Sequence, residues 1–195
     1  MTSQDPYQLV AKWNVPVGTE VHNVILEHNI STGNKLLRVD GTVIVKQNSI
    51  LTRVGDHEFP ISNLKALLSI KCTDRGDWVH TLSINGMTFK DYKNGYYQNF
   101  TTWKPEIAGR EFFITFDKHR SEVFVDGGNI RTTRRFVECG TSTIFHLHRA
   151  FCEIIEQGVG GRTAMTQKLS VDNTPVPVFK DKEDGVFIVK PTGAR

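Results

Sequence analysis

His146-Leu147-His148, followed by Cys152, is the grouping in this chain that comes nearest to a metal site. Alternation along a strand puts both imidazoles on one face, with the thiol a hairpin away. Zinc needs three or four converging N, S or O donors, and no third ligand is evident, so surface or edge-strand histidines are the competing reading. The run Gly158-Val159-Gly160-Gly161-Arg162 is rich enough in glycine to approach a phosphate. It lacks the GK[ST] ending of a phosphate loop, and no helix follows to present its N-terminus, so it reads as a hairpin loop. Glu153 with Glu156, and Asp181 with Glu183 and Asp184, read as solvated carboxylates rather than acid/base dyads. No GxSxG elbow occurs. The expectation is a protein without catalytic residues, cofactor or bound metal.

Residues suited to recognition are better represented. Arg131, Arg134 and Arg135 form the one basic cluster, with Phe136 beside them, and could meet phosphate or an acidic partner. A charged edge strand that discourages unwanted pairing is the alternative. Trp78 follows Arg75-Gly76-Asp77 and is a candidate exposed contact, whereas Trp13 and Trp103 are expected to pack in a core. Among the three cysteines, Cys139 beside Gly140 is the expected accessible thiol, and Cys152 within AFCEII is expected to be buried and inert. Cys72 completes an odd, widely spaced set without a CxxC pair, which argues against a disulfide framework.

The elements that must position these side chains alternate with period two. In VHNVILEH, His22, Val24, Leu26 and His28 share one face; in EFFITFD, Phe112, Ile114 and Phe116 do. Turn signals such as Asp40-Gly41, Asn85-Gly86, Asp126-Gly127 and Asp172-Asn173 separate short runs rich in Val, Ile, Phe and Thr. No stretch reads as an amphipathic helix of three turns; LKALLSIK at 64 to 71 comes closest and is read as a strand.

These landmarks recur. Trp13 corresponds to Trp103, Val39-Asp40-Gly41 to Val125-Asp126-Gly127, Gly55 to Gly140, and the Leu-Ser pair of HTLSING to that of QKLSVDN, at offsets of 90, 86, 85 and 87. Ordered correspondence at a nearly constant offset predicts a duplicated unit. The chain is therefore expected to be all-β, with two tandem antiparallel β-sandwich domains at 1–92 and 93–182, joined around the polar stretch 91–99. Residues 183–195 form a tail in which 185–190 could add one more strand.

Composition is that of a folded globular chain: 38% hydrophobic, 23% charged, net charge +3 over 195 residues. The charge is too mild to require a polyanionic partner. Neither a signal-like start nor a run of about 18 apolar residues is present, so a cytosolic location without a membrane span is expected. Other proteins are the expected partners; nucleic acid is the disfavoured alternative, and a homodimer remains open.

The series W-x-V, ILEHxxSTGxK at 25–35, VDG, RVG at 53–55, TLSING at 81–86, a second Trp, CxII and LSVDNxxVP resembles the Fas apoptotic inhibitory molecule family over about residues 9–179. The resemblance implies two small all-β sandwich domains without catalytic activity. It also implies association with resistance to death-receptor apoptosis and with protection against protein aggregation under stress, through protein-protein interaction. The chain departs from the family pattern at NSILTRVG, where an aromatic and Met-containing run is expected, and at Glu138-Cys139, where an acidic pair is.

Overall fold

The computed structural model describes residues 9–48, 51, 53–158, 165–180 and 184–190. Val159 to Arg162 of the glycine run, and Asp181 and Glu183 of the acidic group, lie outside the described residues. The described residues divide into two compact units, the first within 1–17, 22–95 and 181–195, the second within 18–21 and 96–180.

In the first unit β1 (Leu9–Val17), β2 (Glu20–His28), β3 (Asn34–Val39) and β4 (Thr42–Asn48) form one sheet in that order. A second, antiparallel sheet holds β5 (Gly55–Ile61), β6 (Leu64–Cys72) and β7 (Trp78–Ile84), with the two-residue β8 (Met87–Thr88) turned back on β7. LKALLSIK does form a strand: Ala66, Leu68 and Ile70 of β6 are buried at period two. Trp13, Val24 and Leu26 from one sheet meet Phe59, Leu68 and Ile84 from the other in a single core. Two sheets closing on one apolar layer make a sandwich.

An 11-residue helix, α1 (Phe89–Asn99), occupies the joint expected at 91–99 and corrects the expectation that no stretch forms an amphipathic helix of three turns. It begins because Thr88 caps it. The Thr88 hydroxyl oxygen accepts the Asp91 N–H at 3.2 Å, while the hydroxyl donates to the Asp91 carboxylate at 2.7 Å. Phe89 and Tyr96 are buried, and Tyr92, between them on the same stripe, donates its hydroxyl to the Pro16 carbonyl. Lys, Asp, Asn, Gln and Gly at most of the remaining positions, including an interior Gly95, hide this stripe behind a polar average. The boundary between the units falls inside the helix, between Gly95 and Tyr96.

The second unit opens with β9 (Phe100–Trp103), followed by a small hairpin of β10 (Glu106–Ile107) and β11 (Arg110–Glu111). β12 (Ile114–Asp117) pairs with β9 on one side and with β13 (Glu122–Val125) on the other, and β14 (Gly128–Asn129) completes that sheet. A five-stranded meander runs through β15 (Thr133–Val137), β16 (Gly140–Leu147), β17 (Ala150–Gly158), β18 (Met165–Val171) and β19 (Thr174–Val176). Trp103, Ile114 and Phe116 pack with Phe145, Ile154 and Leu169 in its core. The last strand, β20 (Val186–Val189), belongs to the first unit, where it pairs antiparallel with β7 and lays Phe187 edge-on to Trp13 at 5.1 Å. No helix among the described residues is long and apolar enough to cross a membrane.

One local device recurs at four hairpins. In the two-residue turns Asp40-Gly41, Asn85-Gly86, Asp126-Gly127 and Asp172-Asn173 both residues have positive φ, as a type I′ turn requires. The first residue of each also latches the preceding strand. Its side-chain oxygen accepts the N–H of Asn23, Lys65, Phe113 and Phe151 respectively at 2.7 to 2.9 Å. Its own N–H donates to the carbonyl of that same residue at 2.7 to 2.9 Å. Gly41 and Gly127, at φ 81° and 82°, occupy corresponding turns. The first two latches, in the first unit, precede their counterparts in the second by 86 and 87 residues, which supports the reading of two copies of one unit.

Since Asn serves at position 85 as Asp does elsewhere, the oxygen rather than the charge makes the latch. Asp172→Ala is expected to lower stability by about 1–2 kcal/mol, from the lost bond and the strained φ. Asp172→Asn is expected to stay within about 0.5 kcal/mol of the parent under the same bookkeeping. Urea midpoints at constant slope measure both.

Candidate functional site

Three of the candidate residues come together at one edge. Arg134 and Arg135 lie on β15, and Cys139 sits in the turn from β15 to β16 with φ 61°. The turn approaches β17 closely: a Cβ on Gly140 would lie 1.8 Å from the Glu156 carbonyl oxygen, so only glycine fits there. Arg131 is exposed just before the strand, ahead of Thr133, where the pairing of β15 with β16 begins.

The arginines are not free cations. The Arg134 guanidinium donates to the Glu156 carboxylate at 2.7 Å and to the Thr141 hydroxyl at 3.1 Å. Thr141 donates to the same carboxylate at 3.0 Å. Arg135 reaches Glu153 at 3.2 Å, and Ser142 donates to that carboxylate as well. Glu153 and Glu156, expected as solvated carboxylates, are instead partly covered and buried partners of the arginines. Period-two alternation on neighbouring strands aligns the opposite charges across the sheet, a relation invisible without the register Arg134↔Thr143 and Thr141↔Glu156.

What remains unsatisfied on β15 is apolar and main-chain. Phe136 is 92% exposed. The other sheet edges of this unit are blunted. β14 is two residues long, β19 is three with Pro175 inside it, and the outer side of β9 is bridged at Trp103 by Val178, with the Phe179 N–H on the Thr102 carbonyl. β15 has five residues without proline, and among the described residues only β16 pairs with it.

The remaining candidates lie elsewhere. His148 is not on a strand with His146: it occupies the β16–β17 turn at φ 55° with its ring 5.5 Å from Phe112, while the His146 ring lies 5.7 Å from Phe151. Cys152 is fully buried, and burial first, then Asp172, pushes its thiol up to about 11. Cys72 and Cys139 are exposed. Among the described residues no group of three or more His, Cys, Asp or Glu is placed to hold a metal ion. Trp78 is only partly exposed: it packs against the first core with its ring edge-on to His28 at 5.6 Å.

Beside Trp78 lies a cluster that motif spacing did not reveal. His28 continues the inward face of Val24 and Leu26 on β2, and His80 begins the inward face of Leu82 and Ile84 on β7. They join the two sheets of the first unit through a 2.9 Å bond between His28 Nδ1 and His80 Nε2. Lys35, also buried, lies 3.2 Å from His57 Nε2. Burial, then the charges of His80 and Lys35, push His28 down to about 3. Burial pushes His80 down to about 4 against a raising hydrogen bond with the Phe187 backbone. Lys35 and His57 are lowered by burial as well. Period two placed His28 on a buried face; its partner, 52 residues away, needed the fold.

Two depressed bases make the fold acid-sensitive. The folded chain keeps both imidazoles neutral, whereas the unfolded chain protonates them below about pH 6.5. Their contribution is complete above that pH and is lost as pH falls toward the folded values of about 4 and about 3. Replacing both in His28→Leu/His80→Leu is expected to flatten the stability slope between about pH 4.5 and 6 by roughly 1–3 kcal/mol per pH unit. Chemical denaturation across that range measures it.

Comparison with known proteins shows which family the chain belongs to. The family model for the Fas apoptotic inhibitory molecule matches residues 9–179. Fas apoptotic inhibitory molecule 1 of Homo sapiens is 29% identical over 172 residues, covering 87% of this chain and 96% of that protein. The Bos taurus protein of the same name is 28% identical over 87% of this chain and 86% of its own length, and that of Mus musculus 27% over 87% and 96%. With the match running from β1 through the last residues of the second sandwich, the chain belongs to the Fas apoptotic inhibitory molecule family.

Proposed function

We propose that this protein inhibits apoptosis, as the name of its relatives says of them, and does so by binding other proteins in the cytosol rather than by catalysis. The same binding holds unfolded chains and slows their aggregation. The observation that carries this reading is the β15 edge, where an aromatic ring 92% exposed sits on a strand that pairs on one side only among the described residues. An open edge offers main-chain donors and acceptors to an extended segment, and a large exposed ring beside it adds an apolar anchor. The alternative of a nucleic-acid or carbohydrate module is weakened because Arg134 and Arg135 already face carboxylates.

Equimolar protein is expected to slow the aggregation of an unrelated unfolding client, followed by light scattering without ATP. Phe136→Asp is expected to remove at least half of that effect while leaving the thermal midpoint within about 2 °C, since so exposed a ring contributes little to the fold. Unchanged client aggregation at all ratios up to equimolar overturns the holding role.

A further inference from the structure

A second surface of the second unit has a different chemistry from the β15 edge. The end of α1, the start of β18 and the residues after β19 enclose an open cleft of about 240 Å³ lined by Tyr97, Phe100, Lys118, Met165, Val178 and Lys180, among others. Its apolar members are presented to solvent rather than packed away. Met165 is 47% and Val178 40% exposed, and Phe100 is held in place by stacking on Tyr96 at 4.8 Å. Thr101 and Gln167 in the same wall bond to each other at 3.2 Å, which leaves the lysines as the groups able to select a charged ligand.

Both lysines bring positive charge to one place. Lys118 is anchored by donating to the Tyr97 carbonyl at 2.7 Å, and neither Lys118 nor Lys180 forms an ion pair with a described residue. No described carboxylate lines the cleft. Burial, then the charge of Lys180, lowers the affinity of Lys118 for its proton, a repulsion that a bound anion would relieve. Like charges held together beside an apolar wall are complementary to a carboxylate flanked by an aliphatic side chain. The cleft falls below the roughly 300–1,000 Å³ typical of small-molecule sites, so it accommodates one or two side chains rather than a whole metabolite.

We propose that this cleft docks an acidic segment of a partner protein, seating a Glu or Asp carboxylate between Lys118 and Lys180 and a neighbouring aliphatic side chain against Met165 and Val178. The inference stands apart from the β15 edge and survives the failure of the holding role.

The chain has three methionines, and Met87, 46% exposed on β8 of the first unit, supplies an internal control for Met165. Full-length protein labelled at the methionine methyl groups is titrated with a capped octapeptide carrying a central Leu-Glu-Glu-Leu, its Leu-Gln-Gln-Leu counterpart, and sodium acetate. The expected result is a saturable shift of Met165 but not of Met87 with the acidic peptide. Affinity should fall at least tenfold for the Gln peptide and for Lys180→Gln, an exposed position where folding is not at stake, and should weaken several-fold from about 50 to about 500 mM salt. Lys118→Gln should act in the same direction, with an unchanged thermal midpoint reporting an intact fold. The proposal is overturned by no Met165 shift up to millimolar acidic peptide, by equal binding of the Gln peptide, or by unchanged affinity in both lysine variants. Acetate reproducing the shift at the same concentrations also overturns it, because the cleft would then be a simple anion site.

Discussion

Register is the constraint on which the rest of this protein rests. Side chains on a strand alternate between faces, so a slip of one residue would move Val24, Leu26 and His28 from the core to solvent and bring their polar neighbours inward. The chain resists such a slip at the hairpin corners. A residue with positive φ extends the ladder to the strand before it with two hydrogen bonds, one from its backbone and one to its side chain. Asp and Asn supply that oxygen and tolerate the left-handed conformation better than other side chains, which fits their presence at all four turns. Turn chemistry and core burial thus enforce the same pairing.

With both faces of each sandwich settled in this way, its edges and ends remain. A β protein must keep its edges from pairing indiscriminately, and most edges of the second unit are shortened, interrupted by proline or bridged. β15 departs from that practice. Its arginines, which would ordinarily guard an edge, are drawn across the sheet toward Glu153 and Glu156. Their charge is matched by carboxylates of the same sheet while both side chains stay exposed, and Phe136 is the most exposed large apolar group among the described residues.

The first unit shows the complementary situation, polar groups drawn into a core. His28 and His80 occupy positions that the alternation reserves for apolar side chains, and one hydrogen bond between them satisfies a single nitrogen of each ring. Holding them neutral lowers their proton affinity, so the same pair that completes the packing sets an acid limit on the fold. Trp13 and Trp103 follow a related logic at corresponding places in the two units. Both are fully buried, and neither indole N–H has a hydrogen-bond partner among the described residues, so each is held by shape and burial alone.

Much of this was legible in the order of residues. Period-two alternation, the four Asx turns and the recurrence of Trp13 at Trp103 are short-range features, and each implied a strand, a hairpin or a repeat without knowledge of any distant partner. LKALLSIK was resolved as a strand on the same basis. The helix at Phe89–Asn99 was not legible, because its apolar stripe consists of three aromatics scattered through a polar segment and acquires its energy only by packing. Nor was the attachment of β20 to β7, the meeting of His28 with His80, or the neutralisation of Arg134 by Glu156. Alternation and turns are written locally because backbone sterics act between neighbours. Which charge meets which, and which edge is left open, depends on groups brought together by sheet register across tens of residues, and that only the folded chain decides.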